Sequence, residues 1–253
     1  DFEIGEGTEA RFKIIEVYNE MIRNKIKIQK PLRVVMDCGN AAAAINAPKL
    51  FKSFGRIELK ELFCEPDGTF PNHHPDPTVK ENLIELITEV KVGEYDLGIA
   101  FDGDADRVGV VDEKGEILWA DQLMSIFLPD IIQNGEDILF DVKCSQALVD
   151  MINRYGGNPI MWKTGHSLIK QKMAELDCKF GGEMSGHIFF ADDYYGYDDA
   201  LYVAARLLEL LSRTDKSLSE LKSEIPKYYS TPEIRMEAEN DEEKFIIAKK
   251  AIE

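Results

Sequence analysis

The stretch "LGIAFDGDADRVGVVDEKG", residues 97–115, sets aspartates at 102, 104 and 106 between two apolar runs. "LGIAF" and "RVGVV" are short and apolar, so they read as buried strands joined by a tight acidic loop. Carboxylates at every second position repel one another unless a cation sits among them. Turned inward, Asp102, Asp104 and Asp106 make a hard-oxygen site suited to Mg2+ or Ca2+. The spacing mimics an EF-hand, and Glu113 even falls at its twelfth position. Arg107 stands where that loop needs glycine, and strands rather than helices flank it, so the EF-hand reading is rejected. A loop at the C-terminal end of a strand is also where open α/β sheets hold ligands. Three carboxylates leave a cation open positions for phosphate oxygens and water, and Arg107 is placed to help hold the phosphate.

Working outward, residues 8–26 carry apolar side chains at helical spacing, with Thr8 as the expected N-cap. "LRVVMD" is a buried-strand run, and "CGNAAAAIN" opens a helix expected to reach about Phe54 and stop at Gly55. A strand near 57–63, the Pro- and His-rich loop "CEPDGTFPNHHPDPT" and a helix over 78–91 lead back to the acidic loop. The plan then recurs in "DILFDVKCS", "QALVDMINRYGG", "PIMW", "TGHSLIKQKMAE", "CKFGG" and "EMSGHIFF". Asp37 and Asp141 fall at the same point of the two units, and Gly55 and Gly156 both follow the helix. The fold class is therefore α/β. Two consecutive, topologically similar three-layer domains with mixed, mostly parallel sheets are expected over 1–117 and 118–226. A helix over 198–212 closes the second. Residues 227–253, with a strand between Pro226 and Pro232 and a Lys/Glu-rich helix, read as the start of a third domain.

Of the 253 residues, 44% are hydrophobic and 30% charged, the balance of a soluble globular chain. The net charge of −17 disfavours nucleic acid and anionic membranes, because binding those needs Lys and Arg to displace counterions. No apolar run has the length of a membrane helix, and "DFEIGEGTEARF" has neither a basic leader nor an apolar segment. Cys38, Cys64, Cys144 and Cys178 form no CxxC pair and read as reduced thiols, which points to the cytoplasm. The chain lacks an initial Met and is expected to be a piece of a longer protein.

The remaining loops offer groups suited to sugar and phosphate. Lys143 stands at a strand end; Lys163, Thr164, His166 and Ser167 stand where a helix begins and its free N–H groups favour anions. Glu183, Ser185 and His187 lie in a Gly-rich turn, whereas His73 and His74 read as surface or capping residues. Recurrence at equivalent strand ends points to one shared cleft.

"FDGDADRVGVVD", "FDVKCS", "MWKTGHSLIK" and "GEMSGHIFF", in this order and together with "EPDGTFPNHHPDP", resemble the α-D-phosphohexomutases. Within them the likeness is greatest to the bifunctional phosphomannomutase/phosphoglucomutase enzymes, and it covers nearly the whole chain. The resemblance implies the second and third of four domains, with the start of the fourth. It implies interconversion of hexose 1-phosphate and hexose 6-phosphate through a phosphoserine and a hexose 1,6-bisphosphate. Asp102, Asp104 and Asp106 then match Mg2+ ligands, and Arg107 a residue beside the phosphoserine. Glu183 and Ser185 match residues that grip sugar hydroxyls; Lys143, His166 and His187 line the cleft, with His187 as candidate general base. "GEMSGH" in place of "GEQSGH" favours hexose phosphates over glucosamine phosphate, leaving a phosphoglucosamine mutase fragment as the alternative. A non-catalytic metal-binding scaffold and a Ca2+ module are the other readings. The chain contains neither a "TASHNP"-like phosphoserine loop nor an "RxSNTEP"-like phosphate loop, so by itself it is expected to be inactive. Its expected partners are a phosphorylated hexose and the missing N- and C-terminal domains of the same enzyme.

Overall fold

A computed structural model describes residues 7–229 and 240–252. The first unit opens with helix α1 (Ile14–Lys25), strand β1 (Leu32–Asp37), helix α2 (Ala47–Lys52) and strand β2 (Ile57–Leu62). Helix α3 (Ile84–Gly93) and strands β3 (Leu97–Phe101), β4 (Val108–Asp112) and β5 (Ile117–Leu118) complete it. β1 runs parallel to β2 and β3, while β3–β4 and β4–β5 are antiparallel, giving the order β2-β1-β3-β4-β5. Helix α4 (Ala120–Ile131) leads into strand β6 (Asp137–Asp141), helix α5 (Gln146–Arg154) and strand β7 (Asn158–Trp162). Helix α6 (His166–Leu176), strands β8 (Phe180–Gly182) and β9 (Ile188–Phe190) and helix α7 (Ala200–Arg213) follow. The second sheet has the order β7-β6-β8-β9, with β6 parallel to β7 and β8, and β8–β9 antiparallel. The expected duplication is therefore one of topology over four strands, with β5 an addition to the first sheet.

Both sheets are covered on both faces, because their inner strands are apolar at consecutive positions. Val34 and Met36 point into one core with Ile99, Phe101 and Val110, while Val35 points to the other face with Leu86, Val90 and Val111. In the second sheet Phe140, Phe180 and Phe190 face one way, and Leu139 faces Ile169 and Met173 on α6. α7 is buried along most of its length and packs on β4 of the first sheet and β9 of the second. Its Asp199 side chain caps it by accepting from Tyr202 N–H at 3.0 Å.

Several expectations change at element ends. α1 begins at Ile14, six residues after Thr8, and Lys13 precedes it without a side-chain cap bond. The helix expected up to Phe54 is split into a 3-10 turn at Ala42–Ile45 and α2, where Pro48 fits the first turn because its missing N–H is not needed there. The 78–91 helix likewise opens as a 3-10 turn, Lys80–Leu83. Gly55 and Gly156 both adopt positive φ after their helices, as expected. α4 has no counterpart in the sequence reading: nine of its twelve residues are buried, so it lacks a polar stripe, and Pro129 lies in its last turn. Between Pro226 and Pro232, residues 227–229 form no strand, and 230–232 lie outside the described residues. Helix α8 (Leu218–Ser223) precedes them, and the expected Lys/Glu-rich helix is α9 (Asp241–Ile252). All four cysteines are free thiols, with the Sγ atoms of Cys38 and Cys64 3.1 Å apart. No helix among the described residues is long and apolar enough to cross a membrane.

Candidate active site

The loops that leave the C-terminal ends of β1, β3, β6 and β8 carry the polar groups of interest. After β3 the chain turns through Ala105 at φ 65°, a left-handed position that costs an L-residue roughly 1–2 kcal/mol. That turn gathers oxygen atoms of Asp102, Asp104 and Asp106 to within 4.8 Å of one another. Asp102 is buried and anchors the loop: its Oδ1 accepts from Asp106 N–H at 3.1 Å and Arg107 N–H at 3.0 Å. Its Oδ2 accepts from Arg107 Nε at 2.6 Å. Burial, reinforced by Asp102 and Asp104, pushes the Asp106 carboxyl up to about 6, against the pull of His187. A carboxylate so crowded marks a place where a divalent cation relieves repulsion, and the all-oxygen donor set fits Mg2+.

The Pro- and His-rich loop contributes a residue that the sequence reading missed. Asp76 Oδ1 accepts from Arg107 Nη1 at 3.4 Å and from Thr78 Oγ1 at 2.7 Å. Arg107 is thus held by carboxylates on two sides; burial works against its charge, but Asp102, Asp76 and Asp106 keep its pKa raised. His73 is not a surface residue: only 11% of its side chain is exposed, and its Nε2 lies 3.0 Å from Asp37 Oδ2. Glu113, at the twelfth position of the rejected EF-hand, turns away to accept hydrogen bonds from Ser217 and Ser219.

The second sheet meets this loop directly. Val108 N–H donates to Gly186 O at 3.2 Å, and Ala200 N–H at the start of α7 donates to Ala105 O at 3.1 Å. Gly186 sits at φ 102°, and a Cβ there would come within 3.0 Å of Val108 O, so only glycine lets the two loops close. His187 Nδ1 consequently lies 3.7 Å from Asp106 Oδ2, and its ring stacks on His166 with centroids 5.1 Å apart. Burial lowers the His187 pKa, but Asp198 and Asp106 outweigh it and hold it above the usual value. Asp198, also missed from sequence, has a side chain 6% exposed and lies 2.9 Å from His166 Nδ1 and 2.6 Å from Lys170 Nζ. Burial would raise the Asp198 pKa, yet its contacts with His187, Lys170 and His166 hold it well below the usual carboxylate range.

The other expected site residues lie on loops of the second sheet. Glu183 is buried, and its Oε1 accepts from Gly165 N–H, which ties the "GEMSGH" turn to the loop before His166. Ser185 is half-buried, and Lys143 is exposed in the loop after β6. Asp141, fully buried at the end of β6, joins three loops by accepting from Met184 N–H at 3.1 Å, Thr164 Oγ1 at 2.9 Å and Cys144 Sγ at 3.2 Å.

Residues 16–115 match the family model described as phosphoglucomutase/phosphomannomutase, alpha/beta/alpha domain II, and residues 119–229 match domain III of the same family. The chain belongs to the phosphoglucomutase/phosphomannomutase family. Among its relatives in this family, the phosphomannomutase/phosphoglucomutase of Pseudomonas aeruginosa is 47% identical over 98% of this chain and 54% of its own length. A phosphoglucomutase of Neisseria gonorrhoeae is 43% identical over 91% of this chain and 50% of its own length. A solved phosphoglucomutase/phosphomannomutase family protein from Burkholderia thailandensis superposes with a TM-score of 0.87 at 45% identity, over 91% of this chain and 50% of that one. The chain therefore spans about half the length of the curated relatives it matches. The family and α/β expectations drawn from the motifs hold.

Proposed function

We propose that this chain is the central part of an enzyme that interconverts hexose 1-phosphate and hexose 6-phosphate, of mannose or glucose, through a hexose 1,6-bisphosphate. The observation that carries the reading is the meeting of a three-carboxylate cradle with a pair of imidazoles across Asp106, in a chain of this family. Asp102, Asp104 and Asp106 hold Mg2+, which when bound neutralises charge on phosphate oxygens. Arg107 has two donors committed to Asp102 and Asp76, which fixes the guanidinium plane; the rest of the fork meets the phosphoryl group. His187 takes the proton of the reacting hydroxyl as general base, while His166 and Lys143 bind phosphate or hydroxyl nearby. Glu183 and Ser185 grip sugar hydroxyls, Glu183 by exchanging the Gly165 N–H for a sugar O–H. Holding the sugar by these groups in either orientation supplies the positioning that phosphoryl transfer needs. Residues 1–117, 118–226 and 227–253 are assigned to the second, third and fourth domains, supported by two sheets that share one strand order over four strands. The partners are then a phosphorylated hexose and the first and last domains of the same enzyme, and four free thiols suit a cytoplasmic setting.

Asp104→Asn in the full-length enzyme tests the reading. Asp104 is exposed and supports little packing, so the fold should persist. The expected result is a kcat lowered about 10²-fold or more, with Mg2+ affinity of the chain weakened in a calorimetric titration. A kcat within about twofold of wild type would remove the metal role.

A further inference from the structure

His187 Nδ1 is buried and makes no well-aligned hydrogen bond. Facing it among the described residues are two carboxylate oxygens, Asp198 Oδ2 at 3.1 Å and Asp106 Oδ2 at 3.7 Å. A ring nitrogen that looks at two acceptors carries a proton rather than a lone pair, because a lone pair there would be repelled by both. Nδ1 is therefore the N–H, and Nε2 is left as the basic nitrogen. The ring lies nearly parallel to two neighbours, His166 at 5.1 Å and 22° and Phe189 at 6.4 Å and 9° between centroids and planes. Asp198 is itself fixed: Lys170 Nζ takes its Oδ1 at 2.6 Å, and His166 Nδ1 takes its Oδ2 at 2.9 Å.

Asp106, His166, His187 and Asp198 are also close enough to suggest a second cation site. The Lys170 ammonium argues against it. It stands 2.6 Å from Asp198 and 3.4 Å from His166 Nδ1, so the protein already supplies the positive charge that this cluster requires.

We infer that Asp198 is the positioning carboxylate of His187, holding the ring in the Nδ1–H form and turning Nε2 toward the reacting hydroxyl. The inference rests on the reading of His187 as general base. The hydroxyl proton goes to Nε2; the imidazolium so formed keeps its Nδ1–H on Asp198, which takes no proton itself.

Two measurements separate this inference from the reading beneath it. Long-range ¹H–¹⁵N correlation spectra of the 253-residue chain, recorded at alkaline pH where the ring is neutral, report the tautomer without any variant. A protonated Nδ1 and an unprotonated Nε2 on His187 are expected, with the two forms mixing in Asp198→Asn. A wild-type His187 protonated on Nε2 overturns the inference. In the full-length enzyme, Asp198→Asn should lower kcat about 10²-fold or more while KM stays within about threefold, and Asp198→Glu should recover part of the loss. If His187→Asn is inactive while Asp198→Asn keeps its kcat, the positioning role falls. If His187→Asn keeps its kcat, the general-base reading falls instead, whatever the spectra show.

Discussion

Asp37 and Asp141 show how one residue can organise a site it never enters. Each ends the first strand of its sheet, is buried, and uses its oxygens to draw loops together. Asp37 Oδ1 accepts from Gly39 N–H at 2.8 Å and its Oδ2 faces His73 Nε2, while His73 Nδ1 donates to His74 O at 3.0 Å. With one nitrogen donating to a carbonyl and the other facing a carboxylate, both must carry protons, so His73 is held as an imidazolium. The hydrogen bond to Asp37 raises its pKa above the ordinary value, although burial works against it. The sign follows directly. Stability from the pair is fully present below the unfolded-state value of about 6.5 and is lost as pH rises through the higher folded value. Urea midpoints measured from mildly acidic to mildly alkaline pH should fall more for wild type than for His73→Ala. Parallel curves for the two proteins would show that the pair is not charged.

Among the elements, α8 is fastened to the first sheet by Glu113 in the β4–β5 turn and by its own Lys222, whose Nζ donates to Ile117 O. Glu113 Oε1 accepts from Ser217 Oγ at 2.6 Å and Ser219 Oγ at 2.5 Å, and Oε2 accepts from Ser219 N–H at 3.1 Å. Burial would raise the Glu113 pKa, but these hydrogen bonds outweigh it and hold it below the usual range. Ser217 also caps α8, accepting from Glu220 N–H at 3.3 Å. Glu113→Ala should lower unfolding free energy by about 1–3 kcal/mol, because it leaves two hydroxyls, one of them the capping Ser217, and the Ser219 N–H without their acceptor. Mg2+ affinity should not change. A weakened affinity in the same titration would mean that Glu113 serves the cation after all, as in an EF-hand.

For the whole molecule, the two sheets share one core. A continuous cluster runs from Val34, Ile99 and Val110 through α4 and α7 to Phe140, Phe180 and Phe190, and Lys222 Nζ adds a bond to Ile117 O at 3.0 Å. Residues joined by such a core lose their burial together, so the two sheets should unfold as one unit. Trp119 lies at the junction of the sheets and Trp162 at the end of β7, and the sequence holds two tryptophans. Fluorescence of Trp119→Phe and Trp162→Phe therefore reports the two places separately. Both single-tryptophan proteins should keep the urea midpoint that circular dichroism gives for the same variant. Two separated midpoints, each belonging to one sheet, would show that the shared core does not couple them.

Local pattern alone determined most of the strands, the duplicated plan, the acidic cradle and the family. Period-two and continuous apolar runs need no knowledge of the rest of the chain. A loop such as "DGDADR" likewise carries its own chemistry in six consecutive residues. α4 escaped because a helix buried nearly all round has no polar face to betray its period, and Pro129 further disguised it. Asp76 and Asp198 escaped for a different reason. Each is one aspartate among several in a polar loop, and its role exists only because Arg107 or the two histidines arrive from 31 or 11 to 32 residues away. His73 was read as a surface or capping group for the same cause, since its partner Asp37 lies 36 positions earlier in the chain. Sequence decided which side chains this protein could use. Only tertiary contact between the two sheets decided which of them face one another across Asp106, because that contact depends on a Gly186 turn and a shared core that no local pattern records.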